Sequence, residues 1–282
     1  MKTLTLPSGQ TVPVLGQGTW NMGEQRSERS AEVAALQLGV DLGMTLIDSA
    51  EMYAEGGAEE VVGEAIAGRR EQVFIVSKVY PHNAGRKGVQ AACERSLRRL
   101  KLDRIDLYLL HWRGALPLDE TLDAFCRLKS DGKIGDYGVS NFDLADMREA
   151  QQLDGGRQIA VNQVLFNLPK RGIEFDLLPW SRQQRIPIMA YSPLESGGAE
   201  RDALLRHPAL LASARRHGCS SAQVALAWVL AHEGVMAIPK AARAGHVRQN
   251  RAALDLVLDA QDLAALDLAF PPPRRAQALA MR

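Results

Sequence analysis

Nine polar side chains end or closely follow apolar runs along this chain, and their types suit acid–base chemistry and ligand binding. In order they are Asp48, with Tyr53 just beyond it, then Lys78, His111, Ser140, Asn141, Gln163, Tyr191 and Lys240. The runs before them include TLI ahead of Asp48, VFIVS ahead of Lys78, IDLYLL ahead of His111 and IPIMA ahead of Tyr191. Short continuous apolar runs of this kind read as strands buried on both faces. In a closed parallel barrel all strands point the same way, so their C-terminal ends share one rim. These scattered residues are therefore expected to converge there, as an enzyme site.

The elements that must position them alternate. Strands are predicted near 14–18, 45–49, 73–78, 105–110, 134–139, 159–163, 187–191 and 235–239, with helix patterns near 28–43, 58–68, 87–100, 119–131, 143–152, 171–184, 221–232 and 246–256. Ahead of them, TLTL and TVPV flank the turn signal Pro7-Ser8-Gly9 and predict a hairpin over residues 2–14. An open doubly wound sheet would alternate in the same way. However, Gly16-x-Gly18 is followed by Asn21 where a dinucleotide fingerprint needs its third glycine, and no acidic residue closes a second strand at the expected distance. The expected fold is an α/β (β/α)8 TIM barrel with the N-terminal hairpin closing its bottom.

A chain of 282 residues fits one such barrel, which runs to about 250 residues. A single domain over 1–282 is expected, with an irregular, partly mobile tail from about 271. With 46% hydrophobic and 24% charged residues, the balance is that of a globular protein with ample core. The net charge of +1 provides no basic field for nucleic acid or anionic lipid. The densest cationic stretch, Arg95 to Arg104, reads as a solvated helix face. No signal-peptide pattern and no apolar run of about 20 residues is present, so a cytoplasmic location is expected. Cys93, Cys126 and Cys219 are too few and too scattered for a disulfide framework or a CxxC site, and the first two look like small core residues. The histidines show no paired metal-ligand spacing, so no metal is expected.

Five stretches then carry a family resemblance. LIDSAEMYAEGGAEEVVGEAI, SLRRLKLDRIDLYLLHW and IPKAARAGHVRQN resemble the three signatures of the aldo-keto reductases, and GVSNF and VNQVLFNL add to the match. Within the family the resemblance is to short bacterial members of the methylglyoxal reductase type, through EMYAEGGAE, VSKVYP and AYSPL. It implies a catalytic tetrad of Asp48, Tyr53, Lys78 and His111. Hydride reduction of a carbonyl makes an alkoxide, so a donor must supply a proton at that oxygen. Tyr53 is the natural donor. A neighbouring Lys78 ammonium would bring its phenol, ordinarily near a pKa of about 10, closer to working pH. Asp48 would keep Lys78 charged and oriented, and His111 would orient the carbonyl.

The resemblance also implies a nicotinamide dinucleotide. Ser140, Asn141 and Gln163 correspond to residues that bond its carboxamide, and Tyr191 to the residue that stacks on its ring. The loop Ser192, Pro193, Leu194 to Ser196 corresponds to the segment along the pyrophosphate. Ile238, Pro239 and Lys240, with Arg243, His246, Gln249 and Asn250, correspond to the adenosine end. Many members carry Ser after this Lys and Arg six residues after it. Here those places hold Ala241 and His246, with Arg243 nearby. NADPH is the implied cofactor, and NADH use stays open.

Trp20, Tyr80 and Trp112 are expected to line a substrate mouth with Tyr53 and His111. A short loop after His111 and a brief tail would leave that mouth open, suited to small aldehydes and 2-oxoaldehydes. The family's barrels are often monomers, so a monomer is expected. Two rival readings stand beside the reductase: a nicotinamide-sensing regulatory subunit with little turnover, and an unrelated barrel enzyme using Lys78 as a Schiff base.

Overall fold

Eight short strands pair in parallel and in chain order: β3 (Gln17–Gly18), β4 (Leu46–Asp48), β5 (Phe74–Val79), β6 (Ile105–Leu110), β7 (Ile134–Ser140), β8 (Asn162–Leu165), β9 (Ile188–Tyr191) and β10 (Val235–Ala237). The computed structural model that carries them describes residues 1–282. All six residues of β5 and of β6 are buried, as a strand with a packed barrel interior on one face and helices on the other requires. The two edges of the sheet meet. Leu15 bridges Ala237 and Gly18 bridges Lys240, while the Gly16 and Gly18 N–H groups donate to the carbonyls of Ala237 (2.9 Å) and Pro239 (3.2 Å). The sheet therefore closes as the predicted barrel.

The glycines of Gly16-x-Gly18 have a structural task at this seam. A Cβ on Gly18 would lie 2.6 Å from the Ile238 carbonyl oxygen, and one on Gly16 would lie 2.6 Å from the Leu46 side chain. Both glycines let backbones approach where the barrel closes. The hairpin, β1 (Thr3–Thr5) and β2 (Thr11–Pro13), pairs antiparallel. It sits at the N-terminal end of the strands, where Ser8 Oγ donates to Asp136 in the first half of β7 (2.5 Å) and Lys2 Nζ to the Leu230 carbonyl ahead of β10 (3.3 Å).

Around the barrel run α1 (Arg29–Asp41), α2 (Gly57–Ala65), α3 (Arg86–Leu100), α4 (Leu118–Ser130), α5 (Leu144–Ala150), α6 (Leu177–Gln184), α7 (Gly198–Leu205), α8 (Pro208–His217), α9 (Ser221–Leu230), α10 (Ala244–Ala252) and α11 (Ala260–Ala269). The eight predicted helix patterns each overlap one of these, but α7, α8 and α11 were not expected. The first two are short, separated by Arg206-His207, and bury only Leu204 and then Leu210, Ser213 and Ala214. Such thin apolar faces leave little periodicity. Local chemistry does mark them: Pro208 begins α8, and Asp259 and Asp262 form a capping box on α11. The strand expected at 159–163 begins three residues later, and that expected at 14–18 keeps regular pairing only at its end.

Two further expectations are corrected. The cations of α3 are more than a solvated face, because Arg95 pairs with the buried Glu51 (3.1 Å) and Arg99 with the fully buried Glu59 (2.8 Å). A buried carboxylate needs such a partner, and these two tie α3 to the segment around Tyr53. The tail beyond α11 forms no helix or strand, as expected, yet it packs back on the molecule. Phe270 and Leu279 rest against the core and Arg282 reaches the C-terminal end of the barrel. Cys93 is buried in the core as expected, where burial pushes its thiol up to about 12.

Candidate active site

Lys78, next to last in β5, makes three contacts with its ammonium: Asp48 Oδ2 at 2.8 Å, the Ser49 carbonyl at 2.9 Å and the Tyr53 hydroxyl at 3.2 Å. The lysine is fully buried and Asp48 is 2% exposed, so both charges are out of water and depend on one another. Register brings them together. Asp48 ends β4 opposite Val76, which places Lys78 two residues farther along β5 and on the same face as Val76. Tyr53 returns to the pair through a tight turn in which Ala54 and Glu55 have φ of 51° and 53° and Gly56 has φ of 94° before α2 begins. Gly56 can take that conformation at no steric cost. The turn is held from outside by Glu51, which accepts from the Tyr80 N–H (2.9 Å) and from Asn83 Nδ2 (3.0 Å).

His111 follows β6 directly, and its ring meets Tyr53 edge-on at 5.7 Å between centroids. Its Nδ1 is buried without a protein partner. Burial, with the Lys78 charge acting in the same direction, holds the imidazole well below its ordinary pKa. It is a neutral hydrogen-bonding group at pH 7. The Tyr53 phenol departs from expectation. Burial raises it well above its ordinary value, and the Asp48 charge adds to that. Both causes act in the same direction, so Tyr53 holds its proton firmly at neutral pH. Burial also pushes Asp48 up and Lys78 down, and their mutual contact opposes both shifts.

A cavity opens above this cluster at the C-terminal end of the barrel. Asp48, Tyr53 and His111 face it, and so do Trp20, Trp112, Ser140, Asn141, Gln163 and Tyr191. The segment Ser192, Pro193, Leu194 to Ser196 and the run Ile238, Pro239, Lys240 form its other side. Lys78 does not line it, being sealed beneath Asp48 and Tyr53. Tyr80 is also outside the lining, with its ring against His82 and Trp112. Arg243, His246 and Gln249 are exposed on α10 and the residue before it, and Asn250 is buried in that helix. The structure brings none of these four into the cavity. The sequence reading missed Thr19, Asn21, Met52, Arg201 and Arg282, which do line it, and it included Glu195 only as part of the 192–196 loop.

The neutral wall is tightly ordered. Ser140 Oγ donates to the Gln163 carbonyl (2.9 Å), Asn141 Nδ2 to the His111 carbonyl (3.1 Å), and the Tyr191 hydroxyl to Asn141 Oδ1 (2.8 Å). Gln163 Nε2 donates to Asp48 Oδ1 (2.7 Å), linking this wall to the charged cluster. Four of the chain's eight non-glycine residues with positive φ, Asn21, Asn141, Ser192 and Glu195, line the same cavity. Left-handed backbone is unfavourable for such residues and concentrates at functional sites.

A family model described as the aldo/keto reductase family matches residues 14–269. The chain belongs to the aldo/keto reductase family. It is 55% identical over 280 residues to the methylglyoxal reductase YeaE of Escherichia coli K12, with 99% of each chain covered. It is 35% identical to the glyoxal reductase of Bacillus subtilis, over 94% of this chain and 91% of that one. A crystal structure of an aldo/keto reductase from Klebsiella pneumoniae in complex with NADP and acetate superposes with a TM-score of 0.97 at 52% identity, covering 100% of this chain and 99% of that chain. As an aldo/keto reductase this protein is an oxidoreductase, and the rim cluster of Asp48, Tyr53, Lys78 and His111 lies where barrel enzymes keep their active sites.

Proposed function

We propose that the protein is an NADPH-dependent carbonyl reductase that converts small aldehydes and 2-oxoaldehydes to alcohols, with Tyr53 as proton donor. The observation that carries this reading is the single ammonium of Lys78 bonded at once to Asp48 and to the Tyr53 hydroxyl at the floor of the rim cavity. The methylglyoxal reductase and glyoxal reductase among the relatives support the substrate class, and the NADP complex supports the cofactor. The residues present fit such a group. Gln163 commits its Nε2 to Asp48 and leaves its Oε1 without a protein partner, an acceptor suited to a carboxamide N–H. Ser140 and Asn141 would complete that contact, and Tyr191 would pack against the ring. Lys240, with Arg243 and α10 beyond it, would hold the adenosine end.

When bound, the reduced nicotinamide supplies the hydride. The protein's own part is to fix the carbonyl and deliver a proton. Neutral His111 would orient the carbonyl oxygen by a hydrogen bond. Tyr53 would then pass its proton to that oxygen as negative charge develops there. The raised phenol keeps the proton in place until transfer, and Lys78 Nζ, 3.2 Å away, stabilises the phenolate that transfer leaves. Asp48 and the Ser49 carbonyl keep the ammonium aimed. We further propose one barrel domain over 1–282, acting as a cytoplasmic monomer.

Two measurements test the finer claims. Lys240→Met is expected to weaken NADPH by about 1.5–3 kcal/mol while affecting NADH little, because only NADPH presents the additional phosphate. Equal loss for both would place Lys240 elsewhere, and a wild-type kcat/KM higher with NADH would overturn the cofactor choice. For substrates, kcat/KM is expected to be far higher for methylglyoxal and 4-nitrobenzaldehyde than for glucose or a 3-ketosteroid. Electron-poor carbonyls accept hydride readily and need less positioning. The mouth also has a short loop after Trp112, and Trp20 stands 43% exposed at its edge. A glucose or steroid value above both small carbonyls would show the substrate class to be wrong.

A further inference from the structure

Three cationic side chains line the rim cavity, Arg201, Lys240 and Arg282, and the structure divides them unequally. Arg282 is committed: it donates to Glu195 at 2.9 Å and also contacts Glu200. Glu195 is 1% exposed at its side chain and belongs to the segment that follows β9. Its carboxylate would repel any anion in the cavity were it not paired. Arg201, in the first half of α7 and next in sequence to Glu200, is half-buried and has no carboxylate or side-chain hydrogen-bond partner. An arginine in a cavity wall with no internal partner is a binding group for an anion that comes from outside.

We propose that Arg201 binds the diphosphate of the dinucleotide, and that Arg282 keeps it available by holding the two nearby carboxylates. The proposal rests on the dinucleotide reading above. NADPH carries anionic charge in two places, the diphosphate and the 2′-phosphate, and Lys240 accounts for the second. With Lys78 sealed below the floor and Arg282 neutralised, Arg201 is the remaining cation for the first. It lies on the segment after β9, the seventh barrel strand, beside the loop bearing Lys240, and barrels often place phosphates at the loops after strands seven and eight. Without Arg282, Glu195 and Glu200 would be left to compete for Arg201 and to repel phosphate. Arg282 is thus a positioning residue.

Fluorescence titration of the whole protein with NADPH and with NADH tests this. Arg201→Met is expected to raise both dissociation constants by the same factor, about tenfold or more, because the diphosphate is common to both. Arg201→Lys, which keeps the charge, should retain most of the affinity. Arg282→Met should also weaken both nucleotides, and adding Glu195→Gln and Glu200→Gln should restore much of the loss, a rescue that a merely structural role would not give. Unchanged binding in Arg201→Met, or a loss confined to NADPH, would overturn the assignment while leaving the dinucleotide reading intact. A wild-type protein that bound neither nucleotide would overturn that reading first.

Discussion

Tyr53→Phe is expected to lower kcat by about 10²–10⁴-fold while leaving dinucleotide affinity near that of the wild type. The phenylalanine ring keeps the packing against Trp20 and His111, whose centroids lie 5.1 and 5.7 Å from that of Tyr53, and removes only the hydroxyl. Neither remaining group near the carbonyl replaces the lost acid. His111 is held neutral by burial, and the Lys78 ammonium lies behind Tyr53, outside the cavity lining. The nucleotide contacts proposed at Ser140, Asn141, Gln163 and Lys240 are untouched. Steady-state turnover with methylglyoxal, set beside fluorescence titration with NADPH, separates the two effects. Retention of more than about a tenth of kcat would assign the proton to another group.

Lys78→Met is expected to abolish measurable turnover and to destabilise the fold by about 3–5 kcal/mol, the range for removing one partner of a buried ion pair. Methionine fills much of the lysine's volume, so the cost is electrostatic. Asp48 would be left as a buried carboxylate with Gln163 Nε2 as its one side-chain hydrogen-bond donor. Burial already raises its pKa, and the Lys78 contact that opposes the shift would be gone. A carboxyl whose folded pKa lies above its unfolded value supports folding fully at pH below the unfolded value and loses that support as pH rises through the folded one. The variant's deficit in urea unfolding should therefore be larger at pH 7 than near pH 4. Adding Asp48→Asn should recover part of the stability and none of the turnover. An unfolding midpoint equal to that of the wild type at pH 7 would show that the pair is not energetically coupled.

Much of the barrel was legible because parallel strands buried on both faces must be apolar over their whole length. β5 and β6 announce themselves as VFIVS and IDLYLL for that reason. The residue types of the candidate site were legible for a related reason: a polar group directly after such a run stands at the rim. Elements with thin contact to the core were not legible. α11 buries only Asp262 and Leu266, and without an apolar stripe a helix is marked in sequence by its caps alone. Glu195 and Arg282, on irregular segments, and Arg201, on the thinly packed α7, carried no pattern to single them out.

Contact and charge state belonged to the tertiary structure. That Lys78 meets Asp48, thirty residues away in sequence, follows from the parallel register of β4 with β5. That Gln163 meets Asp48 across 115 positions follows from closure of the barrel, and the pairing of Arg282 with Glu195 across 87 from the path of the tail. Proximity in the sequence argument suggested that Lys78 would lower the Tyr53 pKa, and the folded protein raises it. The sequence determined which chemical groups stand at the rim, since apolar runs fix where strands end. Only the packed barrel decided how much water each group loses, and desolvation at this depth outweighs a neighbouring charge.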